Sequence, residues 1–362
     1  MFEFFSLDEL EPLASERLPQ MAYDYIAGGS DDEWTLGENS AAFRRLQLVP
    51  RVLVDVAERK LATTVLGSTV SLPVLVAPMA FHALAHSEGE LATARAAAAA
   101  GTIMIASTMS NYSLEAIAET SDAPRWFQLY VYRDRGITRE LVERAAAASY
   151  NALCVTVDAP LIGRRPRDMR NGFTLARDLQ LANFADTMLD DLPETARESG
   201  LAAYVASQWD AGLTWKDIDW LRGLSSLPLV LKGIMSPDDA RLAVDHGAAA
   251  IVVSNHGGRQ LDTVPATITM LPHIVAAVED RIEVLMDGGI RRGTDVLKAL
   301  ALGARAVLLG RPVLWGLALN GEAGTRLVIE LLRAELDMAL ALTGCPSIEA
   351  VSDALVWRAE SN

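Results

Sequence analysis

The sequence predicts a (β/α)8 barrel, with a doubly wound α/β sheet as the runner-up. Three observations predict it. Eight short apolar runs follow Leu72, alanine-rich helical stretches separate them, and nearly every run ends in polar residues. Most runs start roughly 20 to 35 residues apart, the length of one strand plus its covering helix. A chain of 362 residues could hold two domains, but one barrel with additions absorbs that length, so residues 1–362 are read as a single domain.

In chain order the expected strands are Val74 to Ala77, Thr102 to Ala106, Trp126 to Leu129, Leu153 to Val157, Leu229 to Lys232, Ala250 to Val253, Glu283 to Met286 and Ala306 to Leu309. Ser87-Glu88-Gly89-Glu90 reads as a capping box opening the helix that contains the alanine run 96–100. Ser236-Pro237-Asp238-Asp239 opens another, with proline at the first helical position and acids at the positive end of the dipole, and Gly247 stops it. Residues 1 to about 70 read as helices leading into the barrel, with Leu18, Met21, Tyr25 and Ile26 near helical spacing. The stretch from Gly163 to about Leu213 is too long for a connection and reads as a lid over the active face.

Composition narrows the function classes. Apolar residues make up 51% and charged residues 22%, a globular balance. Lys and Arg number 32 against 47 Asp and Glu, a net charge of −15 that opposes binding to nucleic acid. Residues 177 to 200 hold six acids and two arginines, a poor match to anionic lipid. No apolar run is long enough to span a bilayer, and the acidic start lacks a signal-peptide pattern. With only Cys154 and Cys345 there is no disulfide framework and no expected metal centre; cytoplasm is the expected compartment.

Barrel chemistry sits at the C-terminal ends of the strands. Those ends carry Ser107-Thr108, Gln128 with Tyr130, Thr156 with Asp158, Lys232, Ser254-Asn255-His256, Asp287-Gly288-Gly289 and Gly310-Arg311. The stretch from Met286 to Pro312 reads as a phosphate site, with glycine N–H groups and an arginine fork after the last two strands. In Ser254-Asn255-His256-Gly257-Gly258-Arg259-Gln260-Leu261-Asp262, an imidazole and a guanidinium stand three residues apart across two glycines. A base beside an anion clamp suits proton removal next to a carboxylate, with Asp158 to hold the imidazole and Lys232 to face developing negative charge.

That segment, with Trp126-Phe127-Gln128-Leu129-Tyr130, Thr156-Val157-Asp158-Ala159-Pro160 and Asp287-Gly288-Gly289-Ile290-Arg291-Arg292-Gly293-Thr294-Asp295, resembles the FMN-dependent α-hydroxy-acid oxidase family. The resemblance runs from Tyr23-Asp24-Tyr25 to Gly344-Cys345. It implies an FMN-containing barrel, commonly a homotetramer, that oxidises a 2-hydroxy acid to the 2-keto acid and returns the electrons to O2 as hydrogen peroxide. It also implies the roles. His256 is the base and Asp158 its carboxylate partner. Arg259 and Arg165 hold the substrate carboxylate, and Tyr25 and Tyr130 contact the substrate. Lys232 stabilises reduced flavin. Pro78, Met79, Ala80, Ser107, Gln128, Thr156 and Ser254 approach the ring, while Asp287, Gly288, Gly289, Arg291, Gly310 and Arg311 hold the ribityl chain and phosphate.

By the same resemblance Met109 forms a flexible apolar wall at the substrate side chain, and Tyr204 and Val205 help close the pocket. Met79 to His82, Ser107 to Met109 and Asp158 to Leu161 look most like lactate oxidases, whereas Arg167 to Phe173 is similar to hydroxymandelate oxidases. L-lactate is therefore the expected substrate, with mandelate-type and glycolate-type acids behind it. Two rival functions are a dehydrogenase that uses an acceptor different from O2 and an FMN-binding protein without turnover. His82 and His86 are read as packing or helix-start residues, His246 as a helix C-terminal charge, His273 as surface and Cys154 as a buried apolar residue.

Overall fold

The computed structural model describes residues 5–174, 179, 181–184 and 208–358. Eight parallel strands close into a barrel: β1 (Val74–Val76), β2 (Met104–Ser107), β3 (Arg125–Leu129), β4 (Ala152–Thr156), β5 (Leu229–Ile234), β6 (Ala250–Val253), β7 (Glu283–Met286) and β8 (Ala306–Leu309). β8 closes the ring by pairing with β1, Val307 beside Val74 and Leu309 beside Val76. The expected runs thus meet in one closed sheet, which excludes the open doubly wound arrangement.

The period of two in a strand sorts the side chains. Leu75, Ile105, Trp126, Cys154, Val230, Val252, Leu285 and Leu308 share one interior cluster. Their neighbours Val76, Met104, Phe127, Val155, Leu231, Val253, Met286 and Leu309 pack outward in the cluster shared with the helices. Continuing the inward parity toward the C-terminal rim replaces these apolar residues by Ser107, Gln128, Thr156, Lys232, Ser254 and Asp287. The same alternation that builds the core therefore aims the polar set into the barrel mouth.

The N-terminal segment is more than helices. Helices Leu10–Arg17, Gln20–Ala27 and Trp34–Arg44 are present, but a hairpin of Thr63–Val65 and Ser68–Val70 follows. Val65 and Val70 join the interior cluster, so the hairpin stops the opposite end of the barrel. Strand Leu46–Leu48 pairs with the distant Val356–Arg358, a partner no local pattern reveals.

The predicted capping box is also corrected. The helix spans Gly89–Ala99 without a side-chain cap, and Glu90 accepts instead from the backbone N–H groups of His82 and Asn111. Ser236 does cap its helix, accepting from Asp238 N and Asp239 N. Within 163–213 the described residues include the helix Pro166–Asn171 and the turn Ala182–Phe184. Buried Asn183 anchors that turn by donating to Thr108 O and Ser110 Oγ and accepting from Leu114 N. Among the described residues, no helix is long and apolar enough to cross a membrane.

Candidate active site

A cavity of about 530 Å³ opens at the C-terminal rim, and most of the residues singled out above line it. They are contributed by all eight strand ends and by the N-terminal helix that carries Tyr25. Asp158 stands behind His256 and Ser254 beneath Lys232, each one bond removed from the lining. Tyr204 and Val205 lie outside the described residues.

His256 is held on the rim by backbone geometry that few residues accept. Its φ is +58°, and Gly257 and Gly258 continue the left-handed run at +64° and +73°. Such a conformation costs of order 1–3 kcal/mol at a non-glycine residue and persists where the surroundings hold it. Here Ser254 Oγ accepts from His256 N at 3.1 Å, and Nδ1 lies 2.9 Å from Asp158 Oδ1. At Gly258 a Cβ would stand 2.7 Å from Leu36 N, so only glycine lets the turn pass the helix Trp34–Arg44.

Burial lowers the His256 imidazole below its ordinary 6.5; the neighbouring charge of Lys232 acts the same way, and Asp158 opposes both. Burial on its own would raise Asp158, but His256 and Lys232 hold its carboxyl below the usual range. The resting pair is thus a neutral imidazole against a carboxylate, a base ready to accept at Nε2 and stabilised once charged.

Lys232 Nζ lies 3.3 Å from Asp287 Oδ2 and 3.1 Å from Ser254 Oγ, and all three residues are buried. Burial opposes its charge, yet Asp287 and Asp158 together raise the ammonium above its usual range. Gln128 joins β2 to β4: its Oε1 accepts from Ser107 Oγ and Thr108 N, and its Nε2 donates to Thr156 Oγ1 at 2.9 Å.

Among the described residues, four arginines face the cavity. Arg259 Nη1 donates to Tyr25 O at 2.6 Å and Gly28 O at 3.1 Å, and its guanidinium sits 5.0 Å from the Tyr25 ring centroid. Burial and then Arg165 push Arg259 down to about 10. Arg165 immediately precedes the helix Pro166–Asn171 without capping it through its side chain, and its buried Nε has no partner among the described residues. Arg311 donates to the carbonyls of Ile26, Gly28 and Gly257, so its side chain fastens the Tyr25 helix to the barrel. Burial, with Arg259 and Arg291 nearby, pushes it down to about 9. Mutually repelling buried cations leave a site that an anion would complete.

Several lining residues had no site role assigned from the sequence. Trp209 stacks on Tyr130 with centroids 3.9 Å apart, and Phe173 stacks on Tyr25 at 4.3 Å. Both lie within the long insert, and each backs a tyrosine expected at the substrate. Trp209 is fixed because Gln208 O accepts from Arg133 N and Asp210 N donates to Val131 O. Asp168, 3.9 Å from Arg165, also lines the cavity, and burial raises its carboxyl. Gln260 ties the β4 and β6 loops, donating to Asp158 O and Leu161 O and accepting from Gly163 N. His82 is buried against Thr93 and His86 accepts from Glu88 N, which gives both a packing role.

These residues suit a flavin mononucleotide. Asp287 Oδ1 is buried without a partner among the described residues, which a ligand hydroxyl would satisfy. Gly288 and Gly289, at φ +90° and +80°, bring backbone close to the cavity. At Gly289 a Cβ would stand 2.1 Å from Asn39 O, and Gly310 opens the helix that begins at Arg311.

Residues 14–358 match the profile of the FMN-dependent dehydrogenases, and the chain belongs to that family of oxidoreductases. Its cofactor is FMN. Among its relatives, an L-lactate oxidase of Nostoc sp. (strain PCC 7120 / SAG 25.82 / UTEX 2576) is 57% identical, covering 96% of each chain. The glycolate oxidase of Spinacia oleracea is 50% identical over 97% of this chain and 95% of its own. A crystal structure of a mandelate oxidase superposes with a TM-score of 0.90 at 46% identity, covering 96% of this chain and 97% of that one.

Proposed function

We propose that the protein oxidises an L-2-hydroxy acid, L-lactate foremost, to the 2-keto acid and passes the electrons to O2, giving hydrogen peroxide. The observation that carries this reading is the convergence of the His256–Asp158 pair with Arg259 and Arg165 on one cavity suited to FMN. The 57% identity to an L-lactate oxidase favours lactate. The likeness to a mandelate oxidase and the apolar wall of Met109, Phe81 and Phe173 favour an aromatic acid as the second reading.

FMN, when bound, supplies the two-electron acceptor. Pro78 to Ala80, Ser107, Gln128, Thr156 and Lys232, with Ser254 behind it, hold its ring; Asp287 to Gly289, Arg291, Gly310 and Arg311 hold its chain and phosphate. Arg259 and Arg165 clamp the substrate carboxylate, and Tyr25 and Tyr130 contact it. Neutral His256 accepts the proton, whether from Cα or from the hydroxyl, and Asp158 stabilises the resulting imidazolium. The buried charge of Lys232 offsets the negative charge that accumulates in the cavity. We place the enzyme in the cytoplasm, in keeping with two free, buried cysteines. Exposed Val52, Leu53, Leu342 and Trp357 support assembly into a tetramer.

The deciding experiment compares L-lactate, glycolate and L-mandelate for anaerobic flavin bleaching and for peroxide release in air. Bleaching without peroxide would replace the oxidase reading by a dehydrogenase with another acceptor. No bleaching by any of the three would remove the hydroxy-acid reading.

Met109 is buried and lines the cavity, so Met109→Trp is expected to narrow it. Overpacking of about 1–3 kcal/mol against the larger acid corresponds to a loss of roughly 5- to 150-fold in kcat/KM for L-mandelate relative to glycolate. Steady-state kinetics on the two acids reads the ratio directly.

The base also sets an expected pH profile. His256 works as the neutral imidazole, so kcat/KM falls on the acid side as the ring takes a proton. Because its folded pKa is depressed, that limb lies below pH 6.5, and the stability contributed by the uncharged ring is likewise lost as pH falls from 6.5. A profile that loses activity on going from pH 6.5 to 8 would contradict a neutral base.

A further inference from the structure

A buried carboxyl outside the cavity takes no part in the chemistry above. Glu90, in the first turn of helix Gly89–Ala99, is fully buried, and no salt bridge reaches it among the described residues. Its Oε1 accepts from His82 N at 3.0 Å and from Asn111 N at 3.1 Å. The two donors belong to different loops, one following β1 and one following β2. Asn111 Oδ1 in turn accepts from Ala83 N at 3.0 Å, and Phe81 N donates to Met109 O at 3.3 Å. Phe81 holds a left-handed φ of +59° inside this bracket, and His82 Nδ1 meets Thr93 Oγ1 of the same helix at 2.9 Å.

The bracketed loops follow neighbouring strands and carry adjoining parts of the cavity wall. The first supplies Pro78, Met79, Ala80 and Phe81, and the second supplies Met109. We propose that Glu90 is a positioning residue whose single carboxyl oxygen ties these two loops together, setting the spacing between the cofactor-facing segment Pro78–Ala80 and Met109. The inference rests on the reading of the cavity as an FMN and hydroxy-acid site. Glu90 touches no ligand and acts through the backbone it holds. One buried and one half-buried N–H group lose their acceptor when it is removed, and the left-handed turn at Phe81 loses its lock. Burial pushes Glu90 up to about 7, so an amide is a near match to its neutral form and keeps the acceptor oxygen.

The test compares Glu90→Ala, Glu90→Gln and Asn111→Ala with the parent enzyme. FMN affinity is titrated by fluorescence on the apoprotein reconstituted with FMN, and kcat/KM is measured for L-lactate and L-mandelate. Glu90→Ala is expected to weaken FMN about tenfold and to shift the ratio of the two acids by at least about threefold, an effect on the scale of one or two lost hydrogen bonds. Glu90→Gln is expected to stay within about twofold of the parent in both readouts, and Asn111→Ala to move both in the direction of Glu90→Ala by less. In combination with Met109→Ala, the Glu90→Ala shift in substrate ratio should be non-additive, because one acts through the other. If Glu90→Ala melts earlier but keeps FMN affinity and substrate ratio, the proposal fails and the residue only stabilises the fold. Additive effects with Met109→Ala, or a folded Glu90→Gln as impaired as Glu90→Ala, overturn it as well. Should Glu90→Ala not fold, Asn111→Ala decides, with an unchanged ratio and affinity counting against. FMN affinity needs no substrate, so a wrong substrate assignment would leave that readout intact.

Discussion

His256→Ala is expected to leave FMN bound while substrate-dependent flavin bleaching slows by about 100- to 10,000-fold, the usual contribution of a positioned general base. The expectation follows from where the ring stands. It lines the cavity, and its Nδ1 meets Asp158 Oδ1 at 2.9 Å, which leaves Nε2 toward the cavity. Among the described residues of that wall, Arg259 and Arg165 are cations, burial together with the Asp158 charge raises the Tyr130 phenol, and Asp168 is turned to Arg165 at 3.9 Å. Anaerobic stopped-flow reduction measures the step apart from reoxidation, and the visible flavin spectrum reports retention of FMN. Asp158→Asn should fall between the parent and His256→Ala, since the imidazole remains but its charged form loses a carboxylate. Bleaching by His256→Ala at the parent rate would move the base elsewhere.

Lys232→Met should be the most damaging single change to the cavity floor. The ammonium and Asp287 are both buried, 3.3 Å apart. Removing one partner strands a charge, a loss of about 3–5 kcal/mol in buried pairs. A fall in melting temperature of several degrees is expected in thermal unfolding. Lys232→Met combined with Asp287→Asn should recover much of the melting temperature without recovering turnover, which separates the structural part of the pair from its chemical part. Equal melting temperatures for parent and Lys232→Met across pH 5 to 8 would mean that the pair is not buried as described.

Much of this arrangement is legible from local pattern. The eight strand runs are readable because a barrel strand is a short apolar stretch bounded by turn residues, and their polar ends mark the rim. Ser236 is recognisable because a cap acts on the two or three residues beside it. The box at Ser87–Glu90 misleads for the opposite reason. Its spacing suits a local cap, but two N–H groups from neighbouring loops take the Glu90 oxygen once the barrel forms. The stacking of Trp209 and Phe173 gives no local signal, because it depends on the insert returning to Tyr130 and Tyr25. The hairpin at 63–70 reads locally as part of a helical lead, since its apolar residues gain meaning only from the barrel end they close.

By itself, then, the sequence determined the chemistry available: a base, its carboxylate, a lysine, a set of arginines and glycine turns placed at the ends of a repeating strand unit. It did so because alternation and turn chemistry act over a few residues and are written in order along the chain. Only the tertiary structure decided what each group does next to its neighbours in space. Arg311 became a fastening for the Tyr25 helix, Glu90 a bracket between loops, and a chain of net charge −15 came to hold four arginines around one cavity. Those outcomes depend on contacts between residues tens to hundreds of positions apart, and on burial, which strengthens the interactions between the charges it surrounds.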